Sequence, residues 1–109
     1  MKKSNKVKVQ VHCPKGSEDK VRLAIGKAGG GQEGNYHYCA FVSHGEGHFL
    51  PMEGANPTIG KIGKMEKVEE VKVEFVCEVK KLKQIINSLK KAHPYEHPSI
   101  AIFPLLEVD

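Results

Sequence analysis

Two stretches of the chain alternate apolar and polar residues with a period of two. Successive side chains of a β-strand point to opposite faces of a sheet, so this alternation predicts two half-buried strands. A third apolar stretch, residues 99–103, predicts a last strand that is apolar on both sides. The alternating apolar residues are Val7, Val9 and Val11 in the first stretch, and Val71, Val73 and Phe75 in the second.

Two other stretches repeat their apolar residues at the spacing of an α-helix. Ser17 is a plausible N-cap for the first helix, and the three glycines at 29–31 end it, because glycine readily adopts the left-handed conformation found after helices. The second helix ends before Pro94, because the residue before a proline disfavours helical angles. The apolar stripes are Val21, Ala24, Ile25 and Ala28, and Val79, Leu82, Ile85, Ile86 and Leu89.

The middle of the chain is rich in turn-forming residues. Residues 38–42 predict a strand, the sequence Gly-Glu-Gly at 45–47 predicts a hairpin turn, and residues 48–50 predict a short return strand. The segment 51–65 then forms a long loop for so small a protein. Long ordered loops are usually functional or form interfaces.

These elements form two strand–helix–strand halves. We therefore expect an α+β fold, a ferredoxin-like βαββαβ sandwich with an extra β-hairpin, in one domain that covers residues 1–109. The two helices should cover one face of the sheet. Several residues assigned to the other face are apolar, which predicts that a second copy of the chain covers it.

Composition narrows the classes of partner. The chain of 109 residues has 17 basic and 13 acidic residues, a net charge of +4, and no tryptophan. Arg22 is the only arginine, whereas nucleic-acid readers rely on arginine and on interleaved aromatic residues. No apolar run reaches the roughly 20 residues of a membrane helix, and no apolar stretch follows the basic N-terminus as in a signal peptide. We expect neither a nucleic-acid nor a membrane partner.

The cysteines and glycines suggest no recognisable catalytic motif. The three cysteines (Cys13, Cys39 and Cys77) are odd in number and widely spaced, which favours a reducing cytoplasm over a disulfide framework. The GxGxxG pattern at 29–34 follows a helix instead of a strand, so it does not predict a dinucleotide site. One enzymatic alternative stays open, in which Cys39 is a nucleophile activated by a nearby histidine.

Six histidines in so short a chain leave metal binding open. His44 and His48 flank the expected turn at 45–47 and would face each other across the hairpin. His93 and His97 flank a proline-rich turn that also contains Glu96. Imidazole and carboxylate groups together bind transition metals. The sequence specifies no cofactor, and a divalent metal ion is the candidate that these histidines leave open.

Three segments together resemble a known family. The sequences GNYHYC at 34–39, GHFLPMEGANPTIG at 47–60 and AHPYEHP at 92–98 are similar to the small insert domain of bacterial YqfO proteins, which are members of the Nif-three-like family. The resemblance implies that this insert-type domain stands alone here, without the large domain that binds the family's metals. On these motifs, the candidate ligand or interface residues are Asn35, Tyr36, Cys39, Glu53, Asn56, Tyr95 and Glu96.

The last of the three segments also resembles the CutA proteins. That resemblance implies a ferredoxin-like chain that assembles as a trimer through its sheets and is linked to copper binding. Our leading functional hypothesis is a non-catalytic, self-associating binding or regulatory domain of unknown ligand, a small molecule or a metal. The alternatives are a divalent-metal (copper or zinc) binding protein similar to CutA and a small cysteine-dependent enzyme.

Overall fold

The computed structural model describes residues 1–108, and these form one antiparallel sheet with two helices. Among the described residues, no helix is long and apolar enough to cross a membrane. A short 3-10 turn at Val79–Lys81 precedes the second helix. The elements are β1 (Lys3–Pro14), α1 (Glu18–Lys27), β2 (Phe41–Phe49), β3 (Glu66–Glu78), α2 (Leu82–Ala92) and β4 (Ser99–Leu106).

The strand order is β2-β3-β1-β4, and every neighbouring pair is antiparallel. Since β1 and β2 both run antiparallel to β3, α1 connects two parallel strands with a third strand between them. The same relation holds for β3, α2 and β4. This interleaving of two strand–helix–strand units is the ferredoxin-like arrangement, and it confirms the fold class expected from the sequence.

The core lies between the sheet and the two helices. The alternating apolar residues of β1 and β3 pair directly across the sheet, Val9 with Phe75 and Val11 with Val73. Their side chains are buried together with Ile85 and other apolar residues of the helices. The period-two and helical patterns therefore identify the core correctly, because burial on one face is the reason for both patterns.

The other face of the sheet carries mainly polar residues along its central strands, with Val76 of β3, opposite Lys8, as an apolar exception, so the apolar residues expected on this face are present in part. Lys8 of β1 forms an ion pair with Glu74 of β3, with 2.8 Å between Nζ and Oε1. Apolar side chains occur on this face at the edge strands, at Phe41 and Phe103, which are 67% and 44% exposed. Charged residues such as Lys8 and Glu74 supply most of the central positions, where water can solvate them.

The predicted turn at 45–47 is also wrong, because β2 runs through it as one strand paired with β3. Gly45 lies opposite Glu70 and Gly47 opposite Val68. A Cβ on Gly47 would overlap the carboxylate of Glu70. Glycine at this position therefore makes room for a side chain of the neighbouring strand, and the fold needs no extra hairpin strand.

The β2–β3 hairpin extends past the rest of the sheet. The pairing of β1 with β3 stops at Pro14 opposite Glu70, whereas β2 and β3 stay paired as far as Phe49 opposite Glu66. We call residues 46–69 the β2–β3 arm. Apolar side chains that are 43–66% exposed lie in its connecting segment, at Leu50, Met52, Ile62 and Met65.

Candidate functional site

A buried histidine anchors the turn that follows α2. Pro94 ends the helix, and His93 adopts an extended conformation at its C-cap. The His93 Nε2 atom lies 2.6 Å from the carbonyl oxygen of His12, and Nδ1 accepts a hydrogen bond from the Tyr95 backbone N–H at 3.0 Å. These two partners assign the neutral tautomer with the proton on Nε2. The turn 93–98 is thereby fixed to the end of β1.

Tyr95 connects this turn to the face of the sheet that the helices do not cover. Its hydroxyl donates a hydrogen bond to Glu70 Oε2 at 2.9 Å, and its ring packs edge-to-face on Phe49 with 6.1 Å between centroids. Burial raises the pKa of Tyr95 most, and the hydrogen bond to Glu70 raises it further. Tyr95 therefore keeps its proton well beyond the usual range and serves as a donor to a carboxylate.

Two hydrogen bonds join the connecting segment of the arm to the same turn. The Asn56 backbone N–H donates to Glu96 Oε2 at 3.0 Å, and the Thr58 hydroxyl donates to the Pro94 carbonyl at 2.7 Å. These residues are about 40 positions apart in the chain. The long loop 51–65 and the turn 93–98 thus form one structural unit over the end of the sheet.

A cavity of about 820 Å³ lies between this unit and the strands beneath it. Its apolar lining includes Phe49 and Pro51 from the arm. Four glutamates also line it, and no lysine or arginine does so within residues 1–108. A concave site with an apolar wall and a few polar groups is the usual form of a small-ligand pocket. The four glutamates are Glu46, Glu53, Glu70 and Glu96.

The structure divides the candidate residues into two groups. Glu53, Tyr95 and Glu96 line the cavity, and Asn56 is tied to it through Glu96. The other three, Asn35, Tyr36 and Cys39, are exposed and lie in the segment between α1 and β2.

The second group belongs to the opposite end of the sheet. The Gly31 N–H donates to the carbonyl of Val76, near the end of β3, and Cys39 N–H donates to the Gly31 carbonyl. Val76 is six positions along β3 from Glu70, which corresponds to about 20 Å of strand. Asn35, Tyr36 and Cys39 therefore do not share a site with Tyr95 and Glu96.

The candidate ligands His44, His48 and His97 lie at two different cavities. His44 and His48 lie on the single strand β2, so the expected apposition across a hairpin is wrong. His48 and His97 line the cavity, and His48 Nε2 lies 3.4 Å from Glu46 Oε1. His44 lines a second cavity of about 210 Å³ on the sheet.

His93 is not placed as a metal ligand in this structure. Both of its ring nitrogens are engaged by the backbone of His12 and Tyr95, so neither presents a free lone pair. Within the part of the chain that the structure describes, no group of three or more His, Cys, Asp or Glu side chains is placed to hold a metal ion. A metal at the remaining histidines would need ligands brought by another chain or by solvent.

Sequence reasoning missed several residues of the site, and His12 and Glu70 are two of them. His12 supplies the carbonyl that anchors His93, and it also lines the cavity. Glu70 accepts the Tyr95 hydrogen bond. Both occupy outward positions of strands with alternating apolar and polar residues, where polar residues are ordinary. The one signal that could have indicated them is their position near the end of β1 and in the first half of β3, next to the two loops.

The cysteines differ in exposure. Cys13 and Cys77 are buried, and Cys39 is exposed. Burial first, and then the charges of Glu18 and Glu70, raise the pKa of the Cys13 thiol to about 11. Burial likewise raises the pKa of Cys77. Among the described residues, no histidine is hydrogen-bonded to Cys39, so the arrangement expected of a cysteine nucleophile is not formed.

The chain is similar to one part of several longer proteins. It is 45% identical over 98 residues to the "GTP cyclohydrolase 1 type 2 homolog" of Bacillus subtilis, and the match covers 90% of this chain and 26% of that protein. A solved Bacillus cereus protein related to NIF3 superposes with a TM-score of 0.81 at 36% identity, covering 95% of this chain and 26% of that one. The chain thus spans about a quarter of the length of these relatives, and the expected resemblance to the Nif-three-like family is confirmed.

The second expected resemblance is confirmed as well. The sequence profile of the family described as "CutA1 divalent ion tolerance protein" matches residues 61–109. The periplasmic divalent cation tolerance protein CutA of Archaeoglobus fulgidus superposes with a TM-score of 0.68 at 14% identity, over 94% of this chain and 86% of that one. At this identity the similarity shows a shared fold.

Proposed function

We propose that this chain, which is related to one quarter of the Nif-three-like proteins and has the CutA fold, is a non-catalytic, self-associating binding or regulatory domain. The cavity under the turn 93–98 is its ligand site. The observation that supports the ligand site best is the pair of hydrogen bonds from Asn56 and Thr58 to that turn. They hold two distant loops together around a cavity, and such preorganisation lowers the cost of binding.

Self-association is supported by the β2–β3 arm. Its connecting segment exposes Leu50, Met52, Ile62 and Met65, and β2 is an edge strand that has no neighbouring strand on its outer side among the described residues. Exposed apolar side chains beside an open strand edge mark an interaction surface. We assign this surface to a second copy of the chain. The resemblance to the CutA proteins favours a trimer.

Light scattering coupled to size-exclusion chromatography tests this part of the proposal. We expect an oligomer at micromolar concentration, and we expect the double variant Ile62→Glu/Met65→Glu to dissociate it. Leu23→Glu is the matched control, because Leu23 is 52% exposed but lies on α1, away from the arm. A wild-type monomer at micromolar concentration would overturn self-association.

Divalent-metal binding is a second candidate function, supported by His48. Its Nε2 atom lies 3.4 Å from Glu46 Oε1 on the wall of the cavity, and His97 also lines the cavity. The name of the matching family, with its reference to divalent ions, points the same way. Two or three such side chains can coordinate copper or zinc when solvent or a partner completes the set.

Calorimetric titration with Cu²⁺ and Zn²⁺ tests this candidate. The double variant His48→Ala/His97→Ala should lose the binding that the wild type has. His37→Ala is the control, since His37 is exposed and lies outside the cavity. Equal binding by both variants would show adventitious coordination at the surface and would remove the candidate.

We also propose a cytoplasmic location without nucleic-acid or membrane partners. Three free cysteines support a reducing compartment, because exposed thiols such as Cys39 are oxidised in secreted proteins. The single arginine supports the absence of sequence-reading contacts to nucleic acid.

A further inference from the structure

The cavity has a charge character opposite to that of the whole chain. The protein has a net charge of +4, yet the cavity is lined by Glu46, Glu53, Glu70 and Glu96 and, within residues 1–108, by no lysine or arginine. Of these four carboxylates, Glu46 alone has a lysine partner within residues 1–108, Lys67, with 4.0 Å between Nζ and Oε2. A nucleotide or another anion entering this cavity would meet four carboxylates and, among the described residues, no lysine or arginine; the other titratable side chains of the wall besides Tyr95 are the imidazoles of His12, His48 and His97.

Three of these carboxylates have no cationic partner among the described residues. Glu70 accepts the hydroxyl of Tyr95, and Glu96 accepts the backbone N–H of Asn56, so both keep acceptor capacity for a further donor. Glu53 is exposed at the rim and forms no hydrogen bond or ion pair within the described residues. The cavity therefore offers unpaired negative charge at several points of its wall.

The aromatic wall adds a second and independent feature. Phe49 and Tyr95 meet edge-to-face at 6.1 Å, and Phe49, Tyr95 and Pro51 line the same cavity. The face of an aromatic ring attracts an organic cation, and it also packs against an apolar ligand body. Aromatic rings next to carboxylates are a combination that recognises ammonium groups.

We infer that the ligand of this cavity is an organic cation, a primary or substituted ammonium group attached to an apolar body. This inference rests on the proposed ligand-site function and specifies the class of its ligand. The aromatic and proline wall contacts the apolar body, and the carboxylates of Glu53, Glu70 and Glu96 receive the N–H donors of the ammonium group. The volume of about 820 Å³ accommodates a small molecule with room for water.

A matched set of three probes tests the inference by NMR titration of the ¹⁵N-labelled full chain. The probes are 2-phenylethylammonium, 2-phenylethanol and 3-phenylpropanoate, which share an apolar body and differ in charge. We expect the ammonium probe to shift the amide signals of Phe49, Asn56 and Tyr95. We expect it to bind at least about threefold to fivefold more tightly than the alcohol, as one exposed charge contact or cation–π contact provides.

Substitutions of cavity residues test whether the ammonium probe binds at this site. Glu53→Gln/Glu96→Gln removes two charges but keeps an acceptor for the Asn56 N–H, so the loops stay joined, and it should bind the ammonium probe roughly tenfold more weakly. Glu33→Gln is the control, because Glu33 is exposed and lies outside the cavity. Phe49→Leu should weaken ammonium binding more than alcohol binding.

The outcomes separate this inference from the proposed function. Tighter binding of the alcohol or the carboxylate than of the ammonium overturns the cation class and leaves the cavity a ligand site. Failure of all three probes at millimolar concentration, in samples that light scattering shows to be oligomeric, overturns the inference and leaves self-association intact. Equal losses in Glu33→Gln and in the cavity variant would also overturn it.

Discussion

The Tyr95 hydroxyl donates a hydrogen bond to Glu70 Oε2 at 2.9 Å, and this contact joins the turn after α2 to the middle of β3. The two residues are 25 positions apart in the chain. Glu70 precedes the helix α2, and Tyr95 follows it. The bond places a neutral donor on a carboxylate that has no cationic partner among the described residues. It therefore fixes the turn without neutralising the cavity.

Removal of this hydroxyl should loosen the turn. We expect Tyr95→Phe to lower the free energy of unfolding by about 1 kcal/mol, since the ring keeps its contact with Phe49 and only the hydrogen bond is lost. Tyr36→Phe is the control, because Tyr36 is 75% exposed. Urea denaturation at a fixed protein concentration measures both, and equal stabilities of the two variants would contradict the role given to the bond.

His93 should contribute more to stability than any other histidine of the turn. Its side chain is 6% exposed and bonds to the backbone of His12 and Tyr95. His93→Ala leaves both backbone groups without their partner, so we expect a loss of about 3 kcal/mol. His97→Ala, at an exposed position, should change stability by less than about 0.5 kcal/mol. Thermal unfolding of both variants measures these changes. Comparable losses of stability in the two variants would indicate that His93 is not the anchor of the turn.

Two glycines test the close contact between the ends of the segment 31–39. Gly31 and Gly34 both have positive φ, at 76° and 55°, but a Cβ on Gly31 would overlap the backbone of Cys39, whereas Gly34 has open space around it. Gly34→Ala should cost about 1 kcal/mol from backbone strain alone. Gly31→Ala should cost about 3 kcal/mol or more, because the contact must also open. Denaturation midpoints that coincide would refute this difference.

The buried thiol of Cys13 makes stability depend on alkaline pH. Its pKa is raised from 9.0 to about 11 in the folded state. Below pH 9 the thiol is protonated in both states, and between pH 9 and 11 only the unfolded state gives up the proton. Stability should therefore fall as the pH rises through this window. Cys13→Ala should have a shallower slope than the wild type in pH-dependent urea titrations, and equal slopes would contradict this role of the buried thiol.

The sequence pattern predicted the core better than the edges. Val9 and Phe75 were placed on the buried face because alternation reports burial directly. Gly47 was assigned to a turn because the local sequence Gly-Glu-Gly is typical of one. The structure shows another reason for glycine at this position: a Cβ there would overlap the Glu70 side chain on the adjacent strand. A requirement set by another strand leaves no trace in the local sequence.

The same distinction applies to the candidate site. Tyr95, Glu96 and Glu53 were found through the resemblance of the motifs that contain them, and the structure brings them to one cavity. Their partners Glu70 and His12 were missed, because the contacts join distant segments and polar residues are common at the outward positions of strands. Asn35, Tyr36 and Cys39 were grouped with these residues because they too belong to a motif shared with the family. They lie at the other end of the sheet.

The segment that connects the two strands of the β2–β3 arm is also a wall of the cavity. Contacts that a second copy makes with the exposed residues of this segment would bear on the same backbone that holds Asn56 against Glu96. Assembly and ligand binding would then both depend on the conformation of this one segment. By thermodynamic reciprocity, any change in ligand affinity caused by assembly must be matched by an equal change in the affinity of the subunits for each other.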